Sequence, residues 1–299
     1  MIQPPIQALQ HPIVFLNGSF VPQQDAKISI LDRGFLFGDS IYEVIPVYQG
    51  LPFRLPQHLT RLRSCLDAIQ LSSPYSDQQW TDIIDQLVAH HGHGNQSIYL
   101  QVTRGATNTR DHAIPIGISP TVLLMSSPLT TPSLEHIENP QTLTATCVND
   151  VRWSHCDIKT TSLLANVMLR QQAQQAGVDE AILIREGLLT EGSASNIFIV
   201  KDQVVSTPPL SQYLLGGITR DLLIEIMAQH HIEYRQEPVS QQALHEADEI
   251  WLTSSAREIA PLVSLDGIAI SGGQPGPLWK TVAELYITFK RTLCEPTLT

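Results

Sequence analysis

RWSHCDIKTTSLLANVML, residues 152–169, sets one lysine, Lys159, between an isoleucine and an apolar run. Leu163, Leu164, Val167 and Met168 recur at helical spacing, which predicts a helix from about Thr161 with these side chains on its buried face. A lysine at such a boundary has two readings. Its stem can lie along apolar surface while the ammonium reaches water. Alternatively the amine is desolvated, which favours the neutral form that condenses with an aldehyde. The stretch alone leaves both open, so the rest of the chain has to decide.

Composition narrows the choice. The 299 residues are 42% hydrophobic and 16% charged, enough for one large domain or two moderate ones. Eighteen Lys plus Arg against 29 Asp plus Glu give a net charge of -11, which argues against a nucleic-acid partner and against attachment to anionic lipid. Cys65, Cys147, Cys156 and Cys294 form no CxxC pair and have no His-flanked ligand spacing. They read as reduced thiols of a cytoplasmic protein, and no metal is expected. No stretch of 18 apolar residues occurs, and MIQPPIQALQHPIVFLNG at the start has no basic leader, so neither membrane span nor targeting segment is expected.

Periodicity outlines the elements. IVFLNGSFVP reads as a hairpin around Asn17-Gly18, and SIYEVIPVYQGLPF as two strands around Gln49-Gly50. Leu59, Leu62, Leu66 and Ile69 mark one helix face, with His58, Arg61 and Cys65 on a neighbouring one. Ser76 reads as the N-cap of a second helix carrying Trp80, Ile83, Ile84, Leu87 and Val88. SIYLQVT and TVLLM are strands, separated by the long loop RGATNTRDHAIPIGISP. MSSPLTTPS, residues 125–133, has linker composition. The expected organisation is therefore two α/β or α+β domains, a smaller one over 1–127 and a larger one over 133–299, joined by residues 128–132. The second contains strands LTATCV, EAILIRE, NIFIVK, QVVST and EIWLTS, and helices starting near Thr161, Thr219 and Pro277.

Were Lys159 to hold pyridoxal phosphate, two more parts would be needed: a carboxylate for the ring nitrogen and a cradle for the phosphate. Glu191, in LTEGSASNIF, is an acidic residue at the turn into an apolar strand, among Gly192, Ser193 and Ser195. In LLGGITRDLLIEI, Gly216 and Gly217 precede a helix whose first N–H groups and dipole suit an anion. Ser254 and Ser255 in LTSSARE add hydroxyls at a strand end, and Arg61 adds a cation.

DRGFLFGD (32–39), YEVIPVY (42–48), HLTRL (58–62), YLQVTRG (99–105), CDIKT (156–160), TEGSASNIF (190–198), GGITRD (216–221) and LTSSARE (252–258) stand in the order and spacing of one family. Together they resemble the fold type IV pyridoxal phosphate enzymes, over most of the chain. TRDH (109–112) resembles the Arg-x-His by which the family's D-amino acid aminotransferases hold the substrate carboxylate. The resemblance implies a two-domain α/β fold with pyridoxal 5'-phosphate at the domain interface, and the larger domain as the cofactor-binding one. It implies Lys159 as the Schiff-base lysine and proton carrier, and Glu191 as partner of the pyridinium. Arg61, Ile218, Thr219 and Ser255 would hold the phosphate, and Leu215 would pack on the ring. Tyr42, Arg110 and His112 would surround the substrate carboxylate, the last two reaching the site from the other copy of a homodimer. The implied reaction moves an amino group from a D-amino acid such as D-alanine to a 2-oxo acid such as 2-oxoglutarate. L-branched-chain aminotransferases and 4-amino-4-deoxychorismate lyases share the cofactor motifs and are the alternatives, with a non-catalytic pyridoxal phosphate-binding protein a remoter one. Pro46, Ala194 and Ala256 depart from the family pattern.

Overall fold

The computed structural model describes residues 12–130 and 137–294. The chain forms two compact units, Met1–Thr130 with Lys159–Ser162, and Thr131–Ile158 with Leu163–Thr299.

The first unit is built on an antiparallel sheet of β1 (Ile13–Leu16), β2 (Ser19–Pro22), β3 (Ser40–Tyr48), β4 (Leu51–Pro52), β5 (Gln96–Thr103) and β6 (Thr121–Pro128), in the order β2-β1-β6-β5-β3-β4. The hairpin turn falls at Asn17-Gly18, both with positive φ, as a two-residue turn between twisted strands requires. Period-2 patterning puts Ile98, Leu100 and Val102 of β5 into the core and leaves Tyr99 and Gln101 on the opposite face. A five-residue helix α1 (Arg33–Phe37) precedes β3. Helix α2 (Leu55–Ala68) packs on β3, and α3 (Asp77–His90) on β1 and β6. Ser76 and Gln79 close a reciprocal capping box on α3, and its Trp80, Ile83, Ile84, Leu87 and Val88 are buried as expected.

The second unit carries a mixed sheet in the order β12-β11-β10-β13-β14-β7-β8-β9, with β15 paired to β14. Its strands are β7 (Leu143–Asn149), β8 (Glu180–Arg185), β9 (Leu188–Gly192), β10 (Asn196–Lys201), β11 (Val204–Thr207), β12 (Tyr234–Gln236), β13 (Glu249–Ser254), β14 (Glu258–Leu265) and β15 (Ile268–Ala269). Its helices are α4 (Leu164–Gln175) against β7 and β8, α5 (Ile218–Gln229) against β13, α6 (Gln241–His245) against β9, and α7 (Pro277–Cys294) against α5.

Four readings of the sequence change. Helix α4 begins at Leu164, because Thr160, Thr161 and Ser162 are engaged with the backbone of α1 and β3: Thr161 N donates to Ser40 O at 3.2 Å and Thr160 Oγ1 to Gly38 O at 3.2 Å. Its expected buried face is open, with Leu164, Val167 and Met168 73%, 62% and 56% exposed; Leu169 and Ala173 are the buried positions. Met125–Pro128 is not linker but the end of β6, paired with Gln96–Tyr99. Pro128 is tolerated there because, among the described residues, β1 pairs with β6 at Leu123 and Leu124 and leaves the Pro128 end with β5 as its one neighbour. Finally, Lys159–Ser162 belongs with the first unit rather than with residues 133–299, since Thr160 bridges to Ile41. Thr131 and Pro132 of the expected linker, and residues 1–11, lie outside the described residues.

Candidate active site

Within the first unit, Lys159 is fixed by its own backbone. Its carbonyl accepts from Tyr42 N at 3.0 Å and its N–H donates to Cys65 Sγ at 3.4 Å. Burial pushes the Cys65 thiol up, so the acceptor is a neutral sulfur. Lys159 is half-buried, and Nζ stands 4.4 Å from the centroid of the Tyr42 ring, within reach of its electron-rich face. Tyr42 in turn stacks on Tyr99 at 5.7 Å. Burial, and then Tyr42, pushes the Tyr99 phenol up to about 12, and its hydroxyl donates to Gln101 Oε1 at 2.9 Å.

Arg61 lies one turn along α2 from His58, and both converge on Glu43 of β3. Arg61 Nε and Nη2 donate to the two Glu43 oxygens at 2.7 Å each, and His58 Nδ1 lies 2.8 Å from Glu43 Oε2. Burial alone would raise the Glu43 carboxyl, but the Arg61 charge and hydrogen bonds, with His58, hold it far below the usual carboxylate range. Burial dominates for His58 and keeps the imidazole below its ordinary value. This buried triad was not read from the sequence; its signal was a glutamate inside the apolar strand YEVIPVY, which needs a cation when buried.

The long loop between β5 and β6 carries Arg110 and His112, both exposed. The Arg110 guanidinium and the His112 ring each lie 5.0 Å from the Phe37 ring, so the two residues share one aromatic neighbour. Tyr42 has its ring contacts with Tyr99 and Lys159 instead.

In the second unit, Glu191 lies within β9 and is buried, rather than at a turn. Its Oε1 is paired with Arg152 Nη1, and its Oε2 accepts from Leu215 N at 3.0 Å and Asn196 Nδ2 at 3.3 Å. Asn196 Nδ2 also donates to Leu215 O at 2.8 Å, so Glu191, Asn196 and Leu215 form one closed set. Arg152 is held by Asp150, whose carboxyl burial would raise but which Arg152 and Arg185 bring down to about 2. Arg152 stands in the opening stretch of the sequence, yet nothing in its neighbourhood announced a partner 39 residues away.

The groups expected to meet a phosphate are of the right kind. Helix α5 begins at Ile218 and Thr219, both buried, behind an N-cap, Gly217, with no side-chain capping bond. A Cβ at Gly217 would fall 2.1 Å from Asn196 Oδ1, so this turn accepts only glycine without moving the Glu191 set. Ser254 ends β13 and Ser255 follows it, both half-buried, and the adjacent Thr253 Oγ1 is buried with no hydrogen-bond partner among the described residues. An uncapped helix start and an orphaned hydroxyl suit an anion bearing several acceptor oxygens, and Glu191 suits a heteroaromatic N–H. The donor set therefore fits pyridoxal phosphate.

Residues 40–265 match the model of the amino-transferase class IV family. The chain belongs to that family. It is 38% identical over 269 residues to the D-alanine aminotransferase of Bacillus licheniformis, covering 90% of this chain and 94% of that one. The D-alanine aminotransferase of Listeria monocytogenes serotype 1/2a (strain 10403S) is 35% identical over 274 residues, covering 92% and 94%. Among solved structures, the branched-chain aminotransferase of Thermoproteus uzoniensis with norvaline superposes with a TM-score of 0.82 at 28% identity, covering 94% of each chain. The type IV α/β fold expected of a class IV aminotransferase is the one observed. Of the departures from the family pattern, Pro46 is buried in β3 opposite Ser97, while Ala194 and Ala256 are exposed. No helix of the described residues is long and apolar enough to cross a membrane. Cys147, His245 and Asp266 also come together, their side-chain N, S and O atoms within 4.8 Å of one another, a surface cluster no sequence spacing signalled.

Proposed function

We propose that this protein is a pyridoxal phosphate-dependent transaminase that moves the amino group of a D-amino acid, such as D-alanine, to a 2-oxo acid such as 2-oxoglutarate. The observation that carries the reading is the placement of Lys159, whose backbone is bonded to β3 and to Cys65 while its amine stands over Tyr42. Lys159 would hold the cofactor covalently, Glu191 would pair with the ring nitrogen, and Leu215 would pack on the ring. Ile218, Thr219, Ser255 and Arg61 would take the phosphate, Arg61 sharing itself with Glu43. When bound, pyridoxal phosphate supplies an electron sink that lets the α-hydrogen leave as a proton.

Lys159 Nζ then acts as the base that takes this proton from the donor Cα and, in the second half-reaction, gives one to the acceptor Cα. Because the donor 2-oxo acid leaves before the acceptor enters, the kinetics are ping-pong. Handedness follows from geometry. The Cα–H bond must point to Lys159, so exchanging the positions of carboxylate and side chain inverts the enantiomer. Arg110 offers a forked guanidinium and His112 a second donor to a carboxylate. We assign the working form as a homodimer in which this loop serves the other copy's site. Ile114 and Ile116 of the same loop, 55% and 99% exposed, support a partner there. Cys65, Cys147 and Cys156 form no disulfide among the described residues, which supports a reducing, cytoplasmic setting.

Borohydride treatment of the holoenzyme tests the reading. The label is expected on Lys159 by peptide mapping, and Lys159→Ala is expected to lose turnover while retaining non-covalent cofactor. A label on Lys27, Lys201 or Lys280 overturns the assignment.

A further inference from the structure

Arg33 is the first residue of α1, and it is buried although the loop it touches is exposed. Its guanidinium reaches three successive carbonyls of that loop: Nη1 donates to Asp111 O at 2.6 Å and Ala113 O at 3.2 Å, and Nη2 to His112 O at 3.2 Å. Its Nε donates to Asp39 Oδ2 at 2.8 Å. Its face lies 5.0 Å from the Phe37 ring, the ring that Arg110 and His112 also approach.

The base on which Arg33 stands is rigid. Asp32 caps α1 through Gly34 N at 2.8 Å and accepts from Thr103 Oγ1 at 3.0 Å and Thr121 Oγ1 at 2.7 Å, which ties α1 to β5 and β6. Gly34 sits so close to β5 that a Cβ there would lie 2.5 Å from Thr103 Cγ2. Asp39 is shared with Arg104, and although burial would raise its carboxyl, the two arginines hold it low, so Arg33 faces a fixed counter-ion.

Residues 106–114 are mostly exposed, so apolar packing does little to fix their conformation, and ordering them costs backbone entropy. Charge-assisted bonds from one planar guanidinium to three carbonyls, with Phe37 beneath the side chains, supply the missing constraint. We propose that Arg33 and Phe37 are positioning residues that set the 110–113 loop so that Arg110 and His112 meet the α-carboxylate of the substrate. This rests on the proposed role of Arg110 and His112, and it makes Arg33 and Phe37 determinants of which carboxylate-bearing enantiomer is accepted.

The test compares Arg33→Gln, Arg33→Lys, Phe37→Leu and Arg110→Ala holoenzymes with wild type, using D-alanine and the uncharged D-alaninamide as donors. Losing the Arg33 contacts is expected to raise KM for D-alanine about tenfold while kcat changes less than about twofold and D-alaninamide kinetics stay as in wild type. Arg33→Lys is expected not to restore KM, because a single ammonium cannot span three carbonyls and Asp39. Phe37→Leu, which leaves the ion pair intact, is expected to raise KM for D-alanine alone, and it decides the matter if Arg33→Gln does not fold. Equal losses with both donors, or a loss confined to kcat, mean that Arg33 and Phe37 only support the fold and overturn the inference. Wild-type kinetics in the Arg33 and Phe37 variants alongside a loss in Arg110→Ala also overturn it, leaving the carboxylate reading standing. Wild-type kinetics in Arg110→Ala overturn the carboxylate reading itself.

Discussion

Glu191 divides its two oxygens among an arginine, an asparagine and a backbone amide, so its position is set before any ligand arrives. Glu191→Gln keeps the shape and the bonds from Leu215 and Asn196 but removes the charge opposite Arg152. Cofactor retention is expected to survive, while proton removal from the donor Cα slows on the order of a hundredfold, because the fixed charge that we assign to the ring nitrogen is lost. Single-turnover absorbance changes with D-alanine measure this, and an unchanged rate would mean that another acid faces the nitrogen. Lys159 and Glu191 stand out in the sequence as candidates because each is an ionisable residue beside an apolar run. Arg152, Glu43 and Arg33 were not, because what gives them a role is a partner far along the chain: Glu191, Arg61 and the carbonyls of 111–113.

The start of α5 carries the element-scale prediction. Gly217→Ala would drive a methyl into Asn196, which joins Glu191 to Leu215, so the cofactor is expected to bind more weakly by about 1–3 kcal/mol, the usual cost of overpacking a tight site. Dialysis against graded pyridoxal phosphate reads the change; wild-type affinity would show that this turn lies away from the phosphate. Elements whose signals were local were legible in full. Helix α3 announces itself by an N-cap serine, Ser76, and a stripe that the structure buries. Helix α4 shows the limit: its periodicity marks an apolar face, but Leu164, Val167 and Met168 are exposed rather than buried among the described residues, and spacing reports a face without saying what packs on it. Met125–Pro128 misled for the opposite reason, since Ser and Pro resemble a linker wherever a strand end has one neighbour.

The charge pairs of the second unit bear on the stability of the whole molecule. Asp150 is folded with its carboxyl near 2, below the ordinary value of 3.8, so its contribution is complete above about pH 4 and is lost as pH falls through about 2. Asp150→Asn strips Arg152 and Arg185 of their shared partner and is expected to destabilise the protein at neutral pH by about 3 kcal/mol. It should also flatten the acid limb of a melting-temperature profile between pH 4 and 2; a parallel shift at all pH values would contradict the ion-pair account. With a net charge of -11, repulsion among carboxylates offsets part of such local gains at neutral pH and low salt. The α/β class was legible from strand and helix periodicity, whereas the return of Lys159–Ser162 to the first unit was not, because it depends on pairing with Ile41 and Tyr42 more than a hundred residues earlier. Handedness separates a D-amino acid transaminase from a branched-chain one. Holoenzyme mixed with D-alanine, and in a parallel sample with L-leucine, should lose its visible cofactor absorbance many times faster with D-alanine; faster loss with L-leucine would contradict the account and favour a branched-chain aminotransferase.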